Sequence, residues 1–159
     1  MTALLRSLVF VAALAAPAAA IGAEVTYQAD NWTAECAIAE QARTVDGDCS
    51  VTGVFQDIHV GSAAGSFALL VALRPPAVAI VGRPFPLHAE LRVDANPPFN
   101  CAGTRYCVFP SADTGAIIGE LGRGALILVD IATAKHAYQA SLSTLGYRAS
   151  LAKIRAEEQ

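Results

Sequence analysis

Four cysteines, Cys36, Cys49, Cys101 and Cys107, are the residues whose type and spacing indicate chemistry most directly. Paired zinc ligands are commonly separated by roughly two to four residues, whereas the gaps here are twelve and five residues. Four cysteines permit three disulfide connectivities, and the turn-forming residues within both gaps favour Cys36–Cys49 and Cys101–Cys107. We therefore predict two disulfides, no metal and no cofactor.

The histidines are the natural candidates for catalytic bases. His59, His88 and His136 do not have the spacing that places two of them on one strand or helix face. We therefore predict no catalytic residue. The alternative that stays open is a hydrolase or metal-dependent enzyme that uses His59 or His136 with Asp57 or Asp130, because catalytic groups can assemble from distant loops.

A proline-rich segment around the second cysteine pair is the candidate for a binding surface. It contains Pro97, Pro98, Phe99, Arg105 and Tyr106. A loop that proline and a disulfide hold rigid loses little conformational entropy on binding, and aromatic and arginine side chains often dominate binding energy. We predict that these five residues bind a partner, with the alternative that Phe99 and Tyr106 seal one end of the domain.

Residues 1–23 have the pattern of a secretory signal peptide. Arg6 supplies the positive start, residues 8–16 form an apolar run, and small residues precede cleavage sites after Ala20 and Ala23. The sequence therefore predicts export to the periplasm, with the cell surface or secretion as further destinations. Thiols in such a compartment usually pair. After cleavage we expect no stable insertion into a membrane.

The composition bounds the class of protein. The chain has 159 residues, 11 basic and 14 acidic side chains, 54% hydrophobic residues and 16% charged residues. An average globular protein has about 25% charged residues. This composition excludes a disordered chain or coiled coil, and the shortage of positive charge excludes a nucleic-acid partner. Residues 24–159 have the length of a single domain.

Short strands dominate the predicted secondary structure. Apolar and polar residues alternate over 32–38 and 87–94, which indicates strands with one buried face. The apolar runs 67–73 and 125–131 fit strands that are buried on both faces or covered by a helix. Frequent prolines between the runs disfavour long helices. We predict an all-β, disulfide-stabilised β-sandwich of roughly eight short strands.

Two helical segments complete the prediction. Tyr147, Leu151 and Ile154 have helical spacing, which predicts a short C-terminal helix packed on the sheets. Residues 116–121 form at most a helical turn or two. The single tryptophan, Trp32, is predicted to fill the core.

The order of several residues resembles the invasion-associated locus B family of exported bacterial proteins. The pattern comprises Trp32, Cys36, Cys49, a strand ending in Asp94, Cys101, Cys107 and the terminal Gly146-Tyr147 with Leu151. This chain has Tyr106 where the family more usually has glycine, and Tyr147 where it has phenylalanine, so it resembles a divergent member. The resemblance implies a small disulfide-bonded β domain in the periplasm or at the cell surface.

The resemblance also bears on function. The family name links such proteins to invasion of host cells, and the resemblance supplies no catalytic residue. We therefore expect a non-enzymatic protein whose partner is another envelope protein, an envelope component or a host protein.

Overall fold

The computed structural model describes residues 24–37, 49–60 and 62–157. The predicted signal peptide, residues 1–23, lies outside the described residues. No helix in the described part of the chain has the length and apolar character needed to cross a membrane.

Within the described residues the chain forms ten strands and two helices. In chain order these elements are β1 (Glu24–Ala29), β2 (Trp32–Ala37), β3 (Cys49–Val60), β4 (Ala63–Leu73), β5 (Pro76–Arg83), β6 (His88–Val93), β7 (Phe99–Gly103), β8 (Cys107–Val108), α1 (Ser111–Arg123), β9 (Leu126–Ala132), β10 (Ala137–Ser143) and α2 (Leu145–Glu157).

The strands form a single curled antiparallel sheet in the order β1-β2-β3-β4-β5-β8-β7-β6-β9-β10. Its two halves face each other, because β10 packs over β3. The rings of Phe67 and Tyr138 lie 5.2 Å apart across this interior. A side chain at Gly53 would come within 2.5 Å of Leu142, so glycine allows the halves to approach. The all-β, sandwich-like prediction is confirmed, with ten strands in place of roughly eight.

One face of the sheet forms the core and the other is open. In β9 the side chains of Ile127, Val129 and Ile131 are buried, whereas Leu126 and Leu128 are each 42% exposed. The prediction that 125–131 is buried on both faces is therefore wrong, because no described element covers the outer face of β9.

Helix α1 is longer than the predicted turn or two. It has thirteen residues, and it buries Thr114, Ile117 and Leu121 at helical spacing. It begins after Pro110, whose carbonyl oxygen accepts a hydrogen bond from the Thr114 hydroxyl at 3.3 Å. Packing against β5 and α2 stabilises this glycine-containing helix, as tertiary contacts often override weak helix propensity.

Helix α2 confirms the predicted C-terminal helix. Tyr147 and Ile154 are buried, and Leu151 is half-buried. The Tyr147 ring lies 5.3 Å from the ring of Trp32, which is itself completely buried, as predicted. The Trp32 Nε1 donates a hydrogen bond to the Ser143 carbonyl oxygen at 2.7 Å. Trp32 therefore joins the first half of the sheet to the C-terminal helix.

The sheet has two distinct ends. The hairpin end carries the connections β3–β4, β5–β6, β7–β8 and β9–β10. At the helix end, residues 94–98 join β6 to β7, and both helices begin there. The β5–β6 connection, residues 84–87, crosses over the β7–β8 hairpin because those two strands lie between β5 and β6 in the sheet.

Candidate functional site

Both predicted disulfides are present. Cys36 bonds to Cys49 across the paired strands β2 and β3, and Cys101 bonds to Cys107 across the hairpin β7–β8. All four cysteines are nearly completely buried. The disulfides are therefore structural, because a reactive cysteine needs access to solvent. Two such bonds are typical of a protein that matures in an oxidising compartment.

The predicted binding segment is not one loop. Its central part forms β7, in which Phe99 and Cys101 pair with Leu91 and Ala89 of β6. The strand separates the two prolines at the helix end from Arg105 and Tyr106 at the hairpin end by roughly 16 Å. The segment forms a strand and not the predicted loop because it pairs with β6. Phe99 and Cys101 face inward, and the outward residues between them have a composition that is typical of a loop.

The five predicted residues therefore have different surroundings. Pro97 and Pro98 are exposed at the helix end, and Phe99 is half-buried against the core. Arg105 is exposed, and Tyr106 has 56% of its surface exposed. The structure thus brings together only Arg105 and Tyr106, at the tip of the disulfide-bonded hairpin.

Two further exposed apolar residues lie in the β5–β6 connection, which crosses this hairpin. The Gly103 N–H donates a hydrogen bond to the Leu87 carbonyl oxygen at 2.9 Å, which joins the hairpin to the β5–β6 connection. In this connection Leu87 is 39% exposed and Phe85 is 36% exposed. The guanidinium of Arg83 lies 3.8 Å from the centre of the Phe85 ring, a cation–π geometry. We define the hairpin-end patch as Arg83, Phe85, Leu87, Arg105 and Tyr106.

The hairpin end is positively charged in an otherwise mildly acidic chain. Arg105 and Lys135 lie in its connections, and Arg83 ends β5. None of the described residues in its four connections is acidic. The local charge is therefore opposite in sign to the formal charge of −3 on the whole chain.

Of the candidate catalytic residues, His136 and Asp130 are the two whose side chains the structure describes, and they lie apart. His136 lies in the β9–β10 turn, where its carbonyl oxygen accepts a hydrogen bond from the Thr133 N–H at 2.9 Å. Asp130 lies within β9 and pairs with Gln139 of β10. Gln139 is three residues after His136, so Asp130 lies roughly 10 Å from His136 along the strand direction. The side chains of Asp57 and His59 lie outside the described residues.

A shallow groove of about 620 Å³ crosses the outer face of β6, β9 and β10. Its polar lining includes His88, Glu90 and Asp130, but not His136. Glu90 and Asp130 are direct cross-strand neighbours, and Arg92 donates a hydrogen bond to Glu90 at 2.8 Å. Among the described residues, no three acidic, histidine or cysteine side chains are grouped so as to hold a metal.

A second concave region lies at the helix end, and sequence reasoning did not anticipate it. It is a groove of about 440 Å³ between α1 and α2, with Arg123, Arg148 and Arg155 in its lining. These arginines come from two helices, so only the tertiary fold brings them together. Their clustering has no counterpart in sequence spacing.

Tyr147 lies close to this groove and carries a buried hydroxyl with no hydrogen-bond partner. Burial raises the pKa of Tyr147 from 10.0 to about 12, although the positive charge of Arg155 acts in the opposite direction. Loss of solvation disfavours the ionised phenol inside the protein. The stability that this group contributes is therefore present below pH 10 and is lost as the pH rises through about 12.

We predict that Tyr147→Phe removes this alkaline loss of stability. The difference between pKa values of 10.0 and about 12 corresponds to a total loss of about 3 kcal/mol in the parent protein, of which roughly half is reached at about pH 11. At neutral pH the variant should be as stable as the parent or more stable, because it removes a buried hydroxyl without a partner. Urea unfolding followed by circular dichroism at about pH 8 and about pH 11 measures both effects. Equal alkaline losses in parent and variant would contradict the prediction.

The residues of the family-like pattern have packing roles. The Asp94 carboxylate accepts a hydrogen bond from the Leu126 N–H at 2.9 Å, which joins the end of β6 to the start of β9. Any side chain at Gly146 would collide with the ring of Trp32, which also contacts Tyr147. These residues of the pattern therefore stabilise the packing between the ends of the chain.

Together, the fold and its two bridges define a disulfide-bonded, mostly antiparallel β protein with a short C-terminal helix. No family model, no curated protein and no solved structure matches the chain. Membership of the invasion-associated locus B family therefore stays a prediction from the sequence pattern.

Proposed function

We propose that this chain is an exported, non-enzymatic envelope protein that binds a partner through the hairpin-end patch. The observation that carries the proposal is the exposed Tyr106 on a disulfide-bonded hairpin, which is hydrogen-bonded through Gly103 to the connection that carries exposed Phe85 and Leu87. The partner is a protein or another component of the bacterial envelope, or a host protein. The periplasm or the cell surface is the proposed location.

The rigidity of the patch supports binding. The Cys101–Cys107 bridge closes the hairpin, and the hydrogen bond from Gly103 to Leu87 holds the neighbouring connection in place. A side chain that is already held in position loses less entropy when a partner binds. Tyrosine and arginine are also enriched among the residues that dominate binding energy.

The charge of the patch indicates the chemistry of the partner. Arg83 and Arg105 flank the exposed apolar side chains, and no described residue in the surrounding connections is acidic. Opposite charges across an interface speed association and suppress wrong partners. We therefore propose a partner surface that combines acidic groups with an apolar patch.

A photo-crosslinking experiment tests this proposal. A photoreactive amino acid at Thr104, which is exposed between the patch residues, should crosslink to the partner in intact cells. Binding of the identified partner is then measured for Arg105→Ala and Tyr106→Ala. Each variant should weaken binding by about tenfold or more, with no change in melting temperature, since both side chains are exposed.

Two matched controls locate the site. Pro97→Ala with Pro98→Ala changes the helix end, and Asp130→Asn changes the groove on the outer face; both should leave the affinity unchanged. An unaltered affinity in the Arg105 and Tyr106 variants would disprove the proposed surface. Loss of affinity in Asp130→Asn would instead favour the outer groove, where the alternative hydrolase would have part of its site.

A further inference from the structure

The groove between α1 and α2 has an apolar floor. Its lining includes Ile118, Gly119 and Gly122 of α1 together with Leu151 and Ala152 of α2. Gly122 has open space beside it, and the Arg123 guanidinium lies over Gly119, where a Cβ atom would come within 3.3 Å of it. Grooves of a few hundred cubic ångströms with mainly apolar walls are the usual sites for small organic ligands.

The groove adjoins a smaller cavity of about 170 Å³, called the inner cavity below. The two share Ile118, Leu151 and Arg155. The remaining residues that line the inner cavity are Cys49, Leu73, Arg74, Tyr147 and Ile154. A ligand can therefore place a narrow apolar chain deeper than the helix surface, between the helices and the sheet.

The lining of the outer groove carries one sign of charge. Arg123, Arg148 and Arg155 contribute three guanidinium groups, and no lining residue is acidic. Arg148 donates a hydrogen bond to the Gly124 carbonyl oxygen at 3.0 Å. Among the described residues, none of these three arginines forms an ion pair with a carboxylate. Three unneutralised guanidinium groups around one groove favour an anionic ligand, because arginine binds carboxylate through paired hydrogen bonds.

From these observations we propose that the groove between α1 and α2 binds a single-chain anionic amphiphile, a free fatty carboxylate. Its carboxylate pairs with the arginines, and its acyl chain lies on Ile118 and Leu151 and enters the inner cavity. This site is at the helix end, so it is separate from the hairpin-end patch and goes beyond the proposed binding function.

Calorimetric titration of the purified protein with dodecanoate, below its micelle concentration, tests the proposal. Dodecanoate should bind, whereas dodecanol, which lacks the charge, should bind at least about tenfold more weakly. Acetate, which lacks the chain, should give no measurable binding. The absence of dodecanoate binding, or equal binding of dodecanol, would overturn the proposal. Binding only to vesicles of anionic phospholipid would overturn it too, since it would indicate a membrane surface as the ligand.

Substitutions on α1 and α2 locate the site. The double variant Arg123→Gln, Arg155→Gln should raise the dissociation constant for dodecanoate by about tenfold or more. Lys153→Gln is the matched control, because Lys153 is exposed on α2 and does not line the groove. Equal affinities in the double variant and the control would contradict the assignment.

A second pair of variants tests the groove by shape alone. Ala152→Trp places a large ring in the groove from an exposed position and should abolish binding. Ala149→Trp introduces the same ring at an exposed α2 position outside the lining and should leave binding intact. Circular dichroism of both variants confirms that the fold is retained. Undiminished binding by a folded Ala152→Trp protein would overturn the proposal.

Discussion

Replacement of Trp32 with alanine should lower the free energy of unfolding by about 4 kcal/mol. The side chain is completely buried, packs on the Tyr147 ring, and donates to the Ser143 carbonyl oxygen. The substitution leaves a large cavity and an unpaired backbone carbonyl. Because a domain is stable by only about 5 to 15 kcal/mol, the variant should be close to unfolding at physiological temperature.

Unfolding of this variant must be followed by far-ultraviolet circular dichroism, because Trp32 is the only tryptophan and its fluorescence is lost. Trp32→Phe is the partial control, since it keeps most of the ring and loses the hydrogen bond. Tyr106→Ala removes an exposed aromatic side chain and should change stability by less than about 0.5 kcal/mol. A loss of under about 1 kcal/mol for Trp32→Ala would show that Trp32 does not support the C-terminal helix.

The second large effect is expected when the Cys36–Cys49 bridge is removed. Replacement of both cysteines by alanine should destabilise the protein by about 3 kcal/mol, because the bridge closes a loop with a sequence separation of 13. Alanine is preferred to serine, since the site is buried and a hydroxyl there would lack a partner.

The other bridge supplies the comparison. Cys101 and Cys107 have a sequence separation of 6, so their replacement by alanine should cost about 2 kcal/mol. Chemical unfolding of both double variants under oxidising conditions gives the order of the two effects. A larger loss at Cys101 and Cys107 would mean that hairpin geometry outweighs loop entropy in this fold. Intact-mass analysis should show that alkylation of all four cysteines in the parent requires reduction and unfolding.

Strands with alternating side chains could be predicted from the sequence. In β6 the residues Ala89, Leu91 and Val93 are buried and their neighbours face outward. This is the two-residue period of a strand with one buried face, as predicted from the alternation of apolar and polar residues. The disulfide pairing was also predictable, because cysteines close in sequence flank residues that form turns.

Elements whose sequences do not alternate between apolar and polar residues were not predicted. Strand β7 contains Asn100, Ala102 and Gly103, whose composition resembles a loop, and its strand character comes from pairing with β6. Helix α1 contains three glycines, and its length depends on packing. The proposed binding residues were therefore predicted as one contiguous segment, although a strand separates them.

Sites formed by segments that are distant in the sequence could not be predicted for a different reason. The connection that carries Phe85 crosses the hairpin that carries Tyr106 only because β7 and β8 lie between β5 and β6 in the sheet. The groove at the helix end likewise depends on how α1 and α2 pack. Sequence periodicity describes which face of one element is apolar, whereas these sites depend on which elements become neighbours.

That crossing connection also constrains the order in which the sheet assembles. Arg83 and His88 are separated by five residue steps, which span at most about 17 Å. Three inter-strand spacings require about 14 Å, so the connection is nearly taut. Strands β5 and β6 join the same sheet only through β8 and β7, which lie between them. The first part of the sheet, β1 to β5, therefore cannot be joined to β6 before Val108 has been synthesised.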